Sequence, residues 1–313
     1  MVALSAPPQN SPEAIQVYRF LKNLDPTATV TLVTTPVPGG WARLDSSLAI
    51  SSERTRLIEL RLPAHKHFIR IISNRRFNVF HVPDSDLWTT FMTRTVLRKI
   101  VGKPDYVYSR SSPFSGAVLA MKLAKRLSVP WLMHLSDPWA GSPYRKAGYL
   151  RTYADQCLEA RCLGAADLIS LTTDSQVQWM KMRYPEYAAK FICAPNMMGD
   201  TVGSCDVKYK SGPLRLVHTG AFYLGRRPDV LLKAFNTIAL NRPDLLSKIE
   251  MQFFGNAERE VIDQISSTPS CRWLGPVSYA ATLEAQAAAD ALVTIEALGT
   301  DPMLRMFMPS KNL

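Results

Sequence analysis

Cysteine is scarce in this 313-residue chain and poorly spaced for chemistry. Its five cysteines (Cys157, Cys162, Cys193, Cys205 and Cys271) form no CxxC pair, and Cys157 and Cys162 are out of helical alignment for a shared ligand. An odd, scattered set reads as reduced cytosolic thiols and argues against a disulfide framework. The five histidines also lack metal-ligand spacing; only His65 and His67 would share a strand face. No apolar run approaches the roughly 20 residues of a membrane-spanning helix. Residues 1–8 are a short apolar stretch broken at Pro7-Pro8, without the length or the basic start of a secretory signal. There is no repeat of solenoid period and no helix-turn-helix, zinc-finger or RNP-like run. These absences predict a cytoplasmic protein with no metal, held at most on the inner face of a membrane.

Basic residues dominate the charge. Thirty-seven Lys and Arg against 26 Asp and Glu give a net charge of +11 and a pI near 9.5. That balance asks for an anionic partner: a nucleotide, an anionic membrane surface or a nucleic acid. A hydrophobic content of 47% over this length suffices for two α/β domains of ordinary size. Short β-rich runs alternate with helical patterns, the signature of parallel α/β sheets. Residues 2–5, 29–34, 57–60, 106–109, 131–135, 168–172 and 191–194 read as strands. After the polar stretch 199–212 the pattern restarts, with strands at 214–218, 249–254, 271–274 and 291–296. The expected division is therefore 1–205 and 206–313. The second half reads as incomplete, with about four strands where a Rossmann-like half commonly has six.

Three strands of the second half run into glycine, at Gly220, Gly255 and Gly275. Ligands of open parallel sheets bind beyond the carboxyl ends of strands, and glycine lets backbone approach them closely. The same glycines serve equally as plain turn residues. Arg226 and Arg227 precede a helix beginning at Pro228. Positive charge at a helix N-terminus opposes the helix dipole, and a bound diphosphate would account for it; a solvated pair is the alternative. In the first half, His134 and Asp137 are polar candidates to bind a sugar hydroxyl or accept a proton. Against that, His134 also reads as a buried strand histidine and Asp137 as a turn residue in Ser-Asp-Pro. Asp84-Ser85-Asp86 imitates a metal-binding DxD pattern but lies far in sequence from the basic pair. Arg54, Arg56, Arg61, Lys66, Arg70, Arg75 and Arg76 are interleaved with apolar residues, and Arg94, Arg98, Lys99 and Lys103 follow. Such interleaving suits anionic lipid heads, or simply a solvated basic face.

Several segments carry a resemblance. Residues 216–228, Leu-Val-His-Thr-Gly-Ala-Phe-Tyr-Leu-Gly-Arg-Arg-Pro, resemble the donor-site entry of family 4 glycosyltransferases. Met308-Pro309-Ser310-Lys311 resembles the family's PSK segment. Residues 192–196 resemble the strand and Pro-Asn turn closing its first domain, and Asp137-Pro138-Trp139 its DPW loop. Residues 83–88 and 109–113 also resemble first-domain segments. The resemblance covers nearly the whole chain. It implies a GT-B fold of two Rossmann-like domains, an N-terminal acceptor-binding domain (1–205) and a C-terminal donor-binding domain (206–313). It implies that Arg226 or Arg227 holds the donor diphosphate, and that backbone near Leu274, Gly275 and Val277 meets the base. Ser310 and Lys311 join this donor site. Glu296 matches the first of two functional glutamates; the second would fall beyond Leu313. The loop after the first strand, residues 7–12, lacks the glycines the family often has there and is left for the acceptor.

The reading is therefore a retaining glycosyltransferase moving sugar from a nucleoside-diphosphate sugar, its co-substrate, to a hydroxyl of a saccharide or lipid-linked acceptor. No cofactor is expected. A non-catalytic scaffold on the same fold and a nucleotide-sugar epimerase stand as rivals. A nucleic-acid partner would show itself by steep salt dependence.

Overall fold

The computed structural model describes residues 1–36, 43–51, 53–62, 82–142, 148–199, 212–223, 225–296 and 306. Outside the described residues lie Ser310, Lys311, His65, His67, Cys205, the basic residues Lys66, Arg70, Arg75 and Arg76, and most of the expected boundary stretch. The chain forms two compact units. One is Met1–Met197 and also takes in Met306; the other begins at Met198.

The first unit is built on one parallel sheet. Its ladders are β2 (Val30–Thr34) on β4 (Thr55–Glu59), and β5 (Val107–Ser111), β6 (Trp131–Leu135), β7 (Leu168–Leu171) and β8 (Phe191–Cys193) in succession. The N-terminal residues join the two sets. Val2 lies parallel to Val33 on one side and Ser109 on the other, with Val2 N–H donating to Tyr108 O (2.8 Å) and Ala3 N–H to Val33 O (3.0 Å). Among the described residues the parallel strands of this sheet, counted from the N-terminus, stand in the order third, second, first, fourth, fifth, sixth, seventh. The order reverses beside the first strand, which makes the carboxyl ends of residues 1–4 and β5 the switch point.

Both faces of such a sheet must be covered, so its strands are apolar on both sides. Helix α1 (Pro12–Lys22) packs Val17 and Leu21 against Ala3 and Leu32 on one face. Its start is fixed locally, with Ser11 Oγ accepting from Ala14 N–H (3.3 Å) and Pro12 at the first position. The other face carries the larger core. There Trp131, Met133, Leu135 and Ile169 meet α3 (Ser115–Leu127), α4 (Tyr149–Ala165) and α5 (Asp174–Arg183), with α2 (Thr93–Lys99) alongside. The segment 7–12, expected as a turn, also contains a two-residue strand. Here β1 (Gln9–Asn10) pairs antiparallel with β3 (Arg43–Leu44).

The second unit repeats the plan. A parallel sheet runs in the order β11 (Cys271–Gly275), β10 (Ile249–Phe254), β9 (Leu214–Thr219), β12 (Ala291–Leu292). Met251 and Phe253 are fully buried against Leu232 and Phe235 of α6 (Asp229–Asn241) and Val261 and Ile265 of α8 (Arg259–Ser267). A short α7 (Pro243–Leu246) follows α6, and α9 (Tyr279–Ala287) leads into β12. The strand expected over 291–296 is only two residues long. Its pairing is prolonged by Val293 N–H donating to Val217 O (2.8 Å). The switch point again lies beside the first strand of the unit, between β9 and β12.

Candidate functional site

In the second unit the polar residues gather beyond the carboxyl ends of β9 and β12. Arg226, in the loop after β9, sets Nη2 3.4 Å from Oε2 of Glu296, which follows β12. Its guanidinium carbon lies 5.0 Å from the centre of the Tyr223 ring. Arg226 is mostly buried and Glu296 is partly open to solvent. Gln286 of α9 donates to Thr219 Oγ1 (2.7 Å), tying that helix to the end of β9. Arg227 points elsewhere. Its Nε donates to Asp229 Oδ2 (2.9 Å), and Nη2 donates to Glu260 Oε1 (2.8 Å) and Gln264 Oε1 (3.1 Å). Thus the fold itself supplies the anions that Arg227 needs at the α6 terminus.

The three glycines differ in purpose. A Cβ on Gly255 would stand 2.2 Å from the carbonyl oxygen of Gly220, and its φ is +134°. Gly255 is therefore required for two loops to touch, whatever binds beside them. Gly275 has φ +78° but room for a methyl group, so backbone conformation alone selects it. The loops continue the ladder, with Gly220 N–H donating to Phe254 O (2.8 Å) and Gly255 N–H to Gly275 O (3.0 Å). Leu274 is exposed and Val277 half-buried at the end of β11.

In the first unit the switch point gathers Glu13, Arg110, Ser136 and Asn196. Ser136 Oγ donates to Glu13 Oε2 (2.9 Å), Arg110 Nε lies 3.8 Å from the same oxygen, and Arg110 Nη2 donates to Asn196 Oδ1. Burial pushes the Glu13 carboxyl up to about 7; Arg110 pulls against that rise, nearby Asp137 adds to it, and the Ser136 hydrogen bond opposes it. Asp137 is half-buried.

The loop bearing Asp137 is fixed from behind. The Trp139 ring stacks on Phe114, centres 5.0 Å apart, and its indole N–H donates to Asp155 Oδ1 (3.0 Å). Trp139 and Ala140 N–H donate to Glu159 Oε1 (3.3 and 3.2 Å), and Tyr184 O–H donates to Glu159 Oε2 (2.5 Å). Glu159 is fully buried, and desolvation pushes its carboxyl up to about 7 against these hydrogen bonds.

By sequence, the chain matches no protein-family model and no curated protein. In three dimensions it is similar to an α,α-trehalose-phosphate synthase (UDP-forming) from Burkholderia xenovorans, in complex with glucose-6-phosphate. The TM-score is 0.61 at 10% identity, over 91% of this chain and 76% of that one. A trehalose-6-phosphate synthase studied with bisubstrate glycomimetics gives 0.60 at 11% identity, over 94% and 77%. The apo lipopolysaccharide outer core galactosyltransferase WaaB gives 0.51 at 12% identity, over 95% and 73%. The fold is that of the GT-B glycosyltransferases.

Within this GT-B frame the expected residues separate. Gly220, Arg226 and Glu296 lie together at the second unit's switch point, with Gly255 and Gly275 on the adjoining loops. Asp137 lies beside Glu13 at the first unit's switch point. His134 sits within the sheet, 2% exposed, opposite Arg110 in register, with Nδ1 2.9 Å from Ser170 Oγ. Burial, aided by the Arg110 cation, holds its pKa well below 6.5, so the imidazole is neutral at neutral pH. The DxD-like pattern is structural: Asp84 accepts from Ser115 N–H (3.0 Å), Ser115 Oγ (2.5 Å) and Asp86 N–H (3.0 Å). Among the described residues no three His, Cys, Asp or Glu side chains form a metal-holding group.

Sequence reading missed Glu13 and Arg110. A glutamate in the first turn of a helix is already explained by the helix dipole, and an arginine inside Ser109–Pro113 carries no signal of its own. Register beside the first strand is what joins them.

Proposed function

We propose that this chain is a glycosyltransferase that moves a sugar from a nucleoside-diphosphate sugar to a hydroxyl of a saccharide or lipid-linked acceptor, with retention. The observation that carries the reading is the Arg226–Glu296 pair at the switch point of the second unit. A guanidinium there presents paired N–H donors matched to a diphosphate. As the sugar–phosphate bond breaks, negative charge grows on the leaving diphosphate, and a fixed cation stabilises that charge more than the ground state. Glu296, released from Arg226, is placed to accept hydrogen bonds from the donor's hydroxyls. Gly275, Leu274 and Val277 are assigned to the base, with Ser310 and Lys311 on the same donor. The similar structures include a UDP-forming synthase and a galactosyltransferase, which supports the reaction class.

The first unit is read as the acceptor side. Asp137 and Glu13 would accept hydrogen bonds from acceptor hydroxyls, and His134 would position the end of β6 from inside the sheet. In the retaining route the departing diphosphate takes the acceptor's proton on the same face. The sugar nucleotide enters as co-substrate, no resident cofactor is invoked, and the reaction is placed in the cytoplasm.

Thermal shift with UDP, GDP, ADP and their sugar conjugates tests this, since a ligand of the native state raises Tm. One nucleotide is expected to stabilise the wild-type chain and Arg227→Ala, and to leave Arg226→Ala unmoved. If no nucleotide raises Tm, or if Arg226→Ala responds as the wild type does, the reading fails. Binding without release of nucleoside diphosphate in the presence of acceptor would favour the scaffold.

A further inference from the structure

The helix layer on the larger-core face of the first unit has a lopsided charge. Helices α2, α3 and α4 hold eight Lys or Arg residues and two acids. Those two acids, Asp155 and Glu159, are buried against Trp139, so no carboxylate of these helices reaches their outer surface. Arg94, Arg98 and Lys99 on α2, Lys125 and Arg126 on α3, and Arg161 on α4 are all exposed. None of these six has an ion pair among the described residues.

Helix α3 packs against both α2 and α4, so the outer faces adjoin. Lys122 of α3 stands over the Phe91 ring (5.6 Å), donates to Thr90 O (2.8 Å), and is close enough to Arg161 of α4 to feel its charge. Large apolar side chains lie among the cations. Phe91, Val101, Tyr149, Leu150 and Tyr153 are each at least 60% exposed. Tyr149, Tyr153, Cys157 and Arg161 recur at four-residue spacing along one exposed stripe of α4. Among the described residues, no helix is long and apolar enough to cross a membrane.

We propose that the outer surface of α2, α3 and α4 docks on an anionic lipid bilayer, lying in the headgroup region without spanning it. The unpaired cations complement the negative surface potential of the leaflet, while the exposed apolar side chains enter the acyl boundary. Val101 and Leu150 favour a bilayer over nucleic acid: they offer no ring to stack on a base, whereas hydrocarbon rewards them directly. The proposal does not depend on the glycosyl-transfer reading.

Co-sedimentation of the full chain with vesicles tests it. Binding is expected to phosphatidylcholine vesicles containing phosphatidylglycerol, weakening as salt is raised, and not to phosphatidylcholine alone. Each cation near the surface is worth about a factor of five in affinity, so Arg94→Ala with Arg98→Ala should weaken binding about 25-fold. Lys125→Ala with Arg126→Ala makes the same test on a separate helix, should the first pair disturb folding. Leu150→Ser with Tyr153→Ser should weaken binding at least tenfold while preserving the salt dependence. Equal binding to both vesicle types, or anionic-vesicle binding unaffected by either Arg/Lys pair in folded protein, overturns the proposal. So does tighter binding to poly(U) RNA than to the anionic vesicles.

Discussion

At the scale of single residues, Glu159 and Gly255 show how burial and backbone geometry constrain side-chain choice. Glu159 is held inside the first unit by two backbone N–H groups and Tyr184, and desolvation lifts its pKa from 4.5 to about 7. The sign of its contribution follows. In the unfolded chain the carboxyl ionises near 4.5, whereas in the folded chain it stays protonated until about 7. Its contribution to stability therefore falls as pH rises through that window, by roughly 3 kcal/mol in total. Glu159→Gln keeps the size and removes the titration. The Tm of the wild type minus that of Glu159→Gln should drop between these two pH values and level off above them. A difference that is flat with pH would refute this account. Gly255 is constrained by sterics instead. With Gly220 O in the way of any Cβ, Gly255→Ala should destabilise by about 3 kcal/mol or more. Gly102, at φ +74° with nothing within 4 Å, makes the control. Gly102→Ala should cost about 1 kcal/mol, the conformational strain alone. Equal losses in urea unfolding would show that the close approach at Gly255 does not matter.

At the scale of elements, two adjacent arginines before α6 have separate tasks. Arg227 clamps the start of α6 to α8 through Asp229, Glu260 and Gln264, so Arg227→Ala should lower Tm while nucleotide still raises it. Arg226 faces Glu296 instead. Glu296→Gln should tighten binding of free nucleoside diphosphate by about tenfold, because the anion no longer displaces a carboxylate from Arg226. Isothermal titration checks it, and weaker diphosphate binding by the variant would contradict it. Both arginines were legible in the sequence as charges in an awkward place. Which one is free of the α6–α8 clamp was not, because Glu260 and Gln264 belong to a helix beyond the next strand. The α4 helix gives the same lesson. Its Asp155 and Glu159 turn inward to fix Trp139 and the loop of Asp137, partners 16 to 20 residues away in the chain.

At the scale of the molecule, the two units have separate cores, one around Met133 and Ile169 and the other around Met251 and Phe253. Phe253→Ala should cost about 4 kcal/mol in its own unit. In hydrogen exchange, β9 and β10 should lose protection while β5, β6 and β7 keep theirs; loss spread evenly over both units would argue against separate cores. The local pattern of the chain determined the strand–helix alternation and the α/β class, because burial on both faces of a parallel strand depends on neighbouring residues. It also marked Gly220, Arg226 and Asp137 one by one, and the family resemblance added Glu296. Only the tertiary structure decided which of them meet. Glu13 reaches Arg110, and Arg226 reaches Glu296, because each sheet reverses its strand order beside its first strand. That order is set by long-range packing, for which neighbours in sequence carry no signal.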